Sequence, residues 1–429
     1  MTDAPRAARQ SGTRTTTSGR QKPGRHGASC ESNSPWYRSS VAPGPRVAFL
    51  TDTFHEVNGV ALTSRQLRDF ARRRDLPFLC VYGGDETRRV QNGSVTEFQL
   101  ERGPLAFALD KGLRHDPALW RFHGQLSGAI RDFRADLIHI TSPGDVGELG
   151  ALLAHQLKIP LVISWHTNLH EFGARRLHRM LGWLPDALLD PFCEGSESYI
   201  LEACLKFYAM GRVLFAPNPE LVRMLAERTG KPAFLMKRGI DIERYTPARR
   251  TVDDGIFRLG YVGRITPEKN VGWLVDLERA LLARGQRDFR LVVVGDGSER
   301  EWLSRNLQYA DFPGVLRGEA LADAYANMDL FVFPSQTDTF GNVVLEALAS
   351  GCPALVTDQG GPKFIIEDGV TGYAAATVEE LIDRASELMR DPELHRRMSL
   401  AAREQASRAS WDAVFEEVYR AYEYALTLG

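Results

Sequence analysis

Cysteines are few in this sequence, and long apolar runs are missing altogether. The five cysteines are widely spaced, and no Cys-x-x-Cys pair occurs among them. That pattern argues against a zinc module or a disulfide framework and suits a reducing cytoplasm. Because no stretch of about 18 consecutive apolar residues is present, we expect no transmembrane helix.

An excess of charge of either sign is also lacking. The 53 Lys and Arg residues nearly balance the 55 Asp and Glu residues, and the formal net charge is -2. The overall charge therefore does not attract nucleic acid, and we expect no nucleic-acid partner. A site for an anionic ligand has to be built locally, from a few basic side chains.

Residues 1–44 have a composition unlike that of the rest of the chain. They are rich in Arg, Ser, Thr, Gly and Pro and contain almost no aliphatic residues, which predicts a disordered tail. Alternatives are a transit peptide, whose Arg and Ser bias the segment shares, or a start codon assigned too early. The remaining residues are long enough for two globular domains of ordinary size.

Short apolar stretches recur after residue 45 and are separated by segments with helical patterns. They cover residues 46–50, 78–82, 137–140, 161–164, 213–216, 259–263, 291–294, 330–333 and 353–357. Fully apolar strands that alternate with helices are typical of a parallel sheet covered on both faces. Since the pattern restarts after Pro247, the sequence predicts an α/β fold with two Rossmann-like, doubly wound domains facing a cleft.

The same pattern gives the domain limits. We expect an N-terminal domain over 45–240, a polar linker over 241–255 and a C-terminal domain over 256–409. A last helix over 410–429 has Ser410 as its predicted N-cap. Its apolar face comprises Trp411, Val414, Phe415, Val418, Tyr419 and Tyr422. Such a face has to be covered, and we expect the helix to pack back toward the N-terminal domain.

Ligands of doubly wound sheets bind beyond the carboxyl ends of the strands, so the loops there carry most information. One such loop follows the strand at 259–263 and contains Gly263, Arg264, Glu268 and Lys269. Two cations at the mouth of the cleft suit a diphosphate, because Arg can donate two parallel hydrogen bonds to phosphate oxygens and Lys supplies a compact positive charge. The alternative is that both cations are solvated and that Glu268 pairs with one of them.

A second loop follows the strand at 330–333 and enters a helix near Asn342. Gly341 permits a phosphate to approach the backbone, and the free amides of a helix start bind anions. Asp338 lies in the loop and Glu346 lies one turn inside the helix. Acids at these places suit sugar hydroxyls and ribose hydroxyls respectively. Taken singly, Asp338 is equally a turn former and Glu346 an ordinary helix residue.

The segment also resembles a known family. Asp338-x7-Glu346, with Phe340-Gly341 between the acids, is similar to the signature of family-4 (group 1) glycosyltransferases, whose first acid is usually Glu. Further matching elements follow the family's order: Asn58-Gly59-Val60, Ser164-Trp165-His166-Thr167, Arg238-Gly239-Ile240-Asp241, Gly263-Arg264 with Glu268-Lys269, Val294-Gly295-Asp296-Gly297 and Gly369-Val370-Thr371-Gly372-Tyr373. The resemblance spans about 46–425 and implies a retaining enzyme of the GT-B fold, which binds a nucleotide sugar as donor.

The resemblance also implies roles for individual residues. As catalytic residues it implies His166, Arg264, Lys269 and Asp338. As donor-binding residues it implies Gly59, Gly263, Arg264, Lys269, Asp338, Phe340, Gly341, Asn342, Val343 and Glu346. His166 would reach the transferred sugar or the reacting oxygens, and the two cations would stabilise the departing diphosphate. For His166 a purely structural role stays open, and for His139 and His170 that role is preferred.

No Asp-x-Asp occurs in the sequence, although many glycosyltransferases hold a divalent metal with that motif. Arg264, Lys269 and the helix start can replace the metal. We therefore expect transfer without a metal or other cofactor. His166 and His170 have the spacing of metal ligands on a helix, but no third ligand is evident.

Other interpretations remain at this stage. If the chain is an enzyme, it could instead be a nucleotide-sugar epimerase or a phosphorylase. If it is not an enzyme, it could be a catalytically inactive protein that binds a sugar nucleotide. An NAD-binding protein would need Gly-x-Gly-x-x-Gly after its first strand, whereas the chain continues there as Thr51-Asp52-Thr53.

The acceptor is not indicated by the sequence, because members of the family act on lipids, glycans and small molecules. The mixed basic and apolar segment 175–184 suits either an ordinary helix or peripheral contact with the inner membrane face. The segment Thr337-Asp338-Thr339-Phe340-Gly341 resembles a branch of the family that includes mannosyltransferases. This resemblance favours mannose as the transferred sugar and GDP-mannose as the donor.

Overall fold

Two mainly parallel sheets, one in each half of the chain, organise the fold. The computed structural model describes residues 44–56, 58–110, 113–166 and 198–428. We call the part before the linker the N-terminal lobe and the part after it the C-terminal lobe. The predicted pair of doubly wound α/β domains is confirmed.

The sheet of the N-terminal lobe has eight strands in the order β10-β9-β8-β7-β1-β2-β4-β3, and a two-stranded β5-β6 hairpin lies beside it. The strands are β1 Val47–Thr51, β2 Phe78–Gly84, β3 Arg88–Asn92, β4 Val95–Glu101, β5 Phe107–Asp110, β6 Leu113–His115, β7 Leu137–Ile140, β8 Leu161–Ser164, β9 Val213–Ala216 and β10 Ala233–Leu235. In the eight-stranded sheet the pair β3-β4 is antiparallel, and the other pairs are parallel. Helices flank this sheet: α1 Gly59–Arg73, α2 His123–Phe133, α3 Asp145–Leu157, α4 over 198–208 and α5 Pro219–Thr229.

The sheet of the C-terminal lobe has six parallel strands in the order β13-β12-β11-β14-β15-β16. The strands are β11 Phe257–Val262, β12 Phe289–Val294, β13 Ala310–Gly314, β14 Leu330–Phe333, β15 Ala354–Thr357 and β16 Gly372–Ala375. The helices are α6 Gly272–Ala283, α7 Arg300–Asn306, α8 Gly318–Ala326, α9 Asn342–Ala349, α10 Val378–Arg390, α11 Pro392–Ser407 and α12 Trp411–Thr427. The strand order reverses between β11 and β14, and ligands of such sheets bind at that point.

Some elements differ from the sequence-based expectations. Helix α7 ends at Asn306, and residues 310–314, for which no apolar strand was predicted, form the edge strand β13. Pro313 is tolerated there because an edge strand has one side without ladder hydrogen bonds. Strands β3 to β6 lie in a region for which no element was predicted. Strand β3 is exposed along its whole length, so no apolar run marks it.

Helix α12 covers one face of the N-terminal lobe. Ser410 caps it by accepting a hydrogen bond from the Ala413 amide at 3.0 Å. Phe415 and Tyr419 contact Phe70 of α1, with ring centroids 5.6 and 5.7 Å apart. The apolar face found in the sequence therefore lies against the first half of the chain.

His139 of β7 is one of the residues beneath α12. Its ring nitrogens lie 2.6 Å from Tyr422 Oη and 2.6 Å from Ser164 Oγ. Burial lowers the pKa of His139 to about 3, so the ring is neutral at physiological pH. These contacts fit the structural role preferred for this histidine.

The polar stretch 241–255 lies against the C-terminal lobe. Arg249 Nε donates to Asp323 Oδ1 at 2.7 Å, and Arg250 Nη2 donates to Asp329 Oδ1 at 2.8 Å. Tyr245 of this stretch is buried in the core of the same lobe.

Candidate active site

Two loops of the C-terminal lobe meet at the reversal point of its sheet. The 263–270 loop follows β11, and the 334–341 loop follows β14. Lys269 of the first loop donates to Asp338 Oδ2 of the second at 2.6 Å, and its Nζ lies 3.5 Å from Ser335 Oγ. The hydrogen bond between Lys269 and Asp338 joins residues that lie 69 positions apart in the sequence. A pairing of Glu268 with one cation, which belonged to the alternative interpretation of this loop, is also present, since Arg264 Nη2 lies 3.7 Å from Glu268 Oε1.

The Asp338 carboxylate is held in its charged form beside Lys269. Burial alone would raise the pKa of Asp338, but the charge of Lys269 and its hydrogen bond hold that pKa below its ordinary value. The Lys269 side chain is 10% exposed and the Asp338 side chain 26% exposed, so the pair faces a partly open space. Arg264, with a side chain 44% exposed, adds a second positive charge near Asp338.

Helix α9 begins directly at this cluster. Its N-cap, Gly341, has φ +97°, a left-handed conformation that favours glycine. Because glycine has no side chain, it cannot cap the first amides of the helix as Ser or Asp would. Asn342 and Val343 are the first two helical residues, so their amide groups lie where an anion would be stabilised.

Gly59 brings the N-terminal lobe close to the start of α9. A Cβ atom added to Gly59 would lie 3.1 Å from Asn342 Nδ2. Asn58 fixes this end of α1 by accepting a hydrogen bond from the Ala61 amide at 2.8 Å. The structure thus places Gly59 beside Asn342, and both were predicted to contact the donor.

Glu346 lies one turn into α9 and is held by two tyrosines. Tyr325 of α8 donates its hydroxyl to Glu346 Oε2 at 2.9 Å, and Tyr245 also hydrogen-bonds the Glu346 side chain. Burial raises the pKa of Glu346 to about 7, and the two hydrogen bonds oppose a further rise. The carboxylate therefore takes up its proton near neutral pH.

His166 follows β8 in the N-terminal lobe and is oriented by Arg238. Arg238 Nη2 donates to His166 Nδ1 at 2.8 Å, and the guanidinium lies 5.7 Å from the centre of the Phe340 ring. Because Arg can only donate, Nδ1 carries the lone pair and the ring proton sits on Nε2. Burial, reinforced by the charge of Arg238, lowers the pKa of His166 well below its ordinary value. His166 is therefore a neutral hydrogen-bond donor.

Four side chains of this site were not singled out as site residues from the sequence: Ser335, Arg238, Tyr245 and Tyr325. Arg238 had a signal, because it opens the family-like segment Arg238-Gly239-Ile240-Asp241. No signal in the sequence pointed to the two tyrosines, since each lies far in sequence from Glu346.

Gly263, a predicted donor-binding residue, lies at the end of β11, where its amide donates to Val294 O at 3.0 Å.

Other expectations concern metal and membrane. His170 and the segment 175–184 lie outside the described residues. Across the described ranges, no three His, Cys, Asp or Glu side chains are grouped as metal ligands would be. Among the helices that the structure describes, none combines the length and apolarity needed to cross a bilayer.

Known proteins share this sequence pattern over most of the chain. The family described as Glycosyltransferase Family 4 matches residues 57–244, and that described as Glycosyl transferases group 1 matches residues 256–391. A GDP-mannose-dependent alpha-mannosyltransferase of Mycobacterium tuberculosis is 30% identical over 412 residues, which is 89% of this chain and 97% of the relative. The chain belongs to the group 1 glycosyltransferases.

A second similar protein is also described as a GDP-mannose-dependent mannosyltransferase. The GDP-mannose-dependent alpha-mannosyltransferase of Corynebacterium glutamicum is 29% identical over 395 residues, covering 89% of this chain and 90% of the relative. The membership excludes the NAD-binding alternative. It also confirms that the chain is an enzyme of the glycosyl-transfer class.

Solved structures show the same fold for this glycosyltransferase. Sucrose-phosphate synthase from Thermosynechococcus elongatus has a TM-score of 0.67 at 16% identity and covers 89% of this chain and 99% of its own. WaaG, a glycosyltransferase involved in lipopolysaccharide biosynthesis, has a TM-score of 0.60 at 15% identity, with 89% and 100% covered. The GT-B fold implied by the sequence resemblance is confirmed.

Proposed function

We propose that this glycosyltransferase moves mannose from GDP-mannose to an acceptor hydroxyl, with retention of anomeric configuration and without a metal ion. The two relatives above and a third, from Mycolicibacterium smegmatis at 29% identity, are described as GDP-mannose-dependent alpha-mannosyltransferases. The segment Thr337-Asp338-Thr339-Phe340-Gly341 supports the same sugar.

The observation that carries the proposal is the junction of the two C-terminal loops. Lys269 and Arg264 lie in the loop after β11, and Lys269 contacts Asp338 in the loop that leads into α9, at the reversal point of the sheet. The two positive side chains and the partly positive start of the helix match the charge of a diphosphate. These groups support departure of the nucleoside diphosphate without a metal ion, and the lack of an Asp-x-Asp motif in the sequence supports the same conclusion.

The chemistry follows from the charge that develops. The bond between the anomeric carbon and the diphosphate oxygen breaks while the acceptor oxygen attacks the same face of the sugar. The acceptor proton passes to the departing phosphate, so no protein nucleophile is needed. Lys269 and Arg264 stabilise the negative leaving group more in the transition state than in the ground state.

Other residues would bind the rest of the donor. Glu346 would accept hydrogen bonds from the ribose hydroxyls, and Asp338 would accept them from the sugar. His166 would donate from Nε2 to a sugar hydroxyl or to a reacting oxygen, because Arg238 occupies its Nδ1. Gly263, Phe340, Gly341, Asn342 and Val343 would contact the donor mainly through their backbone.

A donor panel tests the proposal. We expect GDP-mannose and GDP to raise the Tm in a thermal-shift assay, with UDP- and ADP-sugars giving smaller shifts. EDTA should leave the shift and the slow hydrolysis of GDP-mannose unchanged. Proton NMR at early times should show α-mannose as the first sugar released.

Each part of the proposal has its own contrary result. Stabilisation by a UDP- or ADP-sugar alone would overturn the donor assignment. Loss of hydrolysis in EDTA would overturn metal independence, and β-mannose as the first product would overturn retention. Binding of GDP-mannose with no turnover, with or without candidate acceptors, would instead favour an inactive binding protein. Conversion of the sugar while it stays on GDP would favour an epimerase.

A further inference from the structure

Thr339 connects the 334–341 loop to the opposite lobe. Its Oγ1 donates to the carbonyl of His166 at 2.8 Å, and its own carbonyl accepts a hydrogen bond from Asn218 Nδ2 at 2.8 Å. The hydroxyl and the carbonyl of one residue are therefore both bound by the N-terminal lobe. Thr339 stands between Asp338 and Phe340, which the proposed function places at the donor.

Asn218 uses the two ends of its side chain for different partners. It is the N-cap of α5, where Oδ1 accepts a hydrogen bond from the Leu221 amide at 2.9 Å. Capping requires only an acceptor, and Ser, Thr or Asp serve about as well as Asn. The Nδ2 group is not needed for the cap, and it satisfies a carbonyl of the other lobe instead. Asn218 is 4% exposed, so water competes poorly for this bond.

The loop around Thr339 is anchored on both lobes. On its own lobe, the Asp338 carbonyl accepts a hydrogen bond from the Gly361 amide at 2.7 Å. The Asp338 carboxylate meanwhile pairs with Lys269. The bond that Thr339 donates to the His166 carbonyl and the bond that Thr339 accepts from Asn218 complete the anchoring, and both form only when the two lobes meet. Their geometry thus links lobe contact to the position of Asp338.

We propose that Asn218 is a positioning residue, which fixes the 334–341 loop against His166 when the lobes meet. The proposal rests on the proposed function for its kinetic consequence. Since Asn218 acts on the loop from the opposite lobe, its loss lowers kcat more than it weakens donor binding. The same loss loosens the loop whether or not a donor is present.

Two variants separate this contact from helix capping. Asn218→Asp keeps the capping acceptor and replaces the donating amide with an oxygen that faces the Thr339 carbonyl. Asn218→Ser also caps, but its side chain is too short to reach Thr339. Thr377→Ala is the matched control: it removes a cap, the Thr377 Oγ1 bond to the Glu380 amide at 3.2 Å, from α10 and leaves Thr339 untouched.

Hydrogen exchange and kinetics on the full chain give the readout. In both Asn218 variants we expect amide exchange of the 334–341 peptide to become about tenfold faster without ligand. We expect kcat with GDP-mannose to fall by about 10- to 100-fold, while the donor KM changes less than about threefold. Asn218→Ser leaves the Thr339 carbonyl without its donor, so its Tm should fall slightly, and Asn218→Asp also buries a charge beside that carbonyl, so its Tm should fall further. Thr377→Ala should lower Tm without changing kcat.

The proposal would be overturned if the 334–341 peptide of Asn218→Asp exchanged its amide protons at the wild-type rate. It would also be overturned if exchange became faster while kcat stayed at the wild-type value. A loss of kcat that only follows a loss of Tm would assign Asn218 to folding alone. If the wild type does not turn over GDP-mannose, the proposed function fails, and the exchange result still decides whether Asn218 holds the loop.

Discussion

Replacing Lys269 with methionine should lower kcat by about 10²- to 10³-fold, the usual effect of removing one group that stabilises developing negative charge. Methionine keeps much of the side-chain length and loses the charge. The ammonium of Lys269 is held by Asp338 at 2.6 Å and is largely buried, so its charge is fixed at the junction of the two loops. Steady-state transfer or hydrolysis of GDP-mannose measures the effect.

The Lys269→Met variant also loses the partner of Asp338. The free energy of unfolding should fall by about 1–3 kcal/mol because a partly buried carboxylate is left without its cation. In the double variant Lys269→Met/Asp338→Asn, denaturant unfolding should show most of that stability restored, with kcat still low. Lys206→Met, which changes an exposed lysine of α4, is the control. A Lys269→Met enzyme with wild-type kcat would show that the cation site is misplaced.

Replacing Glu346 with glutamine should raise the donor KM by about 10- to 100-fold. The carboxylate would accept two ribose hydroxyls through charge-assisted bonds, and an amide offers one acceptor and no charge. Glutamine keeps an acceptor for the Tyr325 hydroxyl, so the packing around α9 is preserved. Initial rates over a range of GDP-mannose concentrations measure the change. The control is Glu423→Gln on the exposed side of α12.

The same Glu346→Gln variant should be more stable than the wild type above neutral pH. Burial raises the pKa of Glu346 to about 7 from an ordinary value of 4.5, so the folded state binds a proton that the unfolded state releases between these values. The free energy of unfolding of the wild type therefore falls as pH rises between these two pKa values. The variant has no carboxyl at this position, so its free energy of unfolding does not fall for this reason. At pH 8 its free energy of unfolding should exceed that of the wild type by about 1–3 kcal/mol, and at pH 4 the two should be similar. Equal stabilities at pH 8 would mean that Glu346 is not held in a costly charged state.

The sequence was informative where a local pattern determines the structure. Fully apolar strands such as β9 and β14 indicated the two sheets. The loops after β11 and β14 could be placed because ligand loops of doubly wound sheets follow the strands. Gly341 was identifiable because a glycine between a strand and the start of a helix permits close approach of a ligand to the backbone. Strand β3 carries no apolar signal, because it is an exposed edge strand.

Contacts between distant segments were not predictable from local patterns. The two hydroxyls that hold Glu346 come from Tyr245 and Tyr325, and neither residue has a motif around it. The hydrogen bond from Arg238 to His166 spans 72 residues and joins the segments that follow β10 and β8, which lie on either side of β9. Such contacts follow from tertiary packing, which a single sequence does not display.

We propose that Lys269 and its neighbours take up the charge of a departing nucleoside diphosphate, and the proposed function depends most on this claim. Isothermal titration of GDP and GMP in EDTA tests it, because the two ligands differ only in the outer phosphate. We predict that the wild type binds GDP much more tightly than GMP, and that Lys269→Met narrows the ratio of their Kd values by about 10- to 100-fold. An unchanged ratio in the variant would contradict the claim.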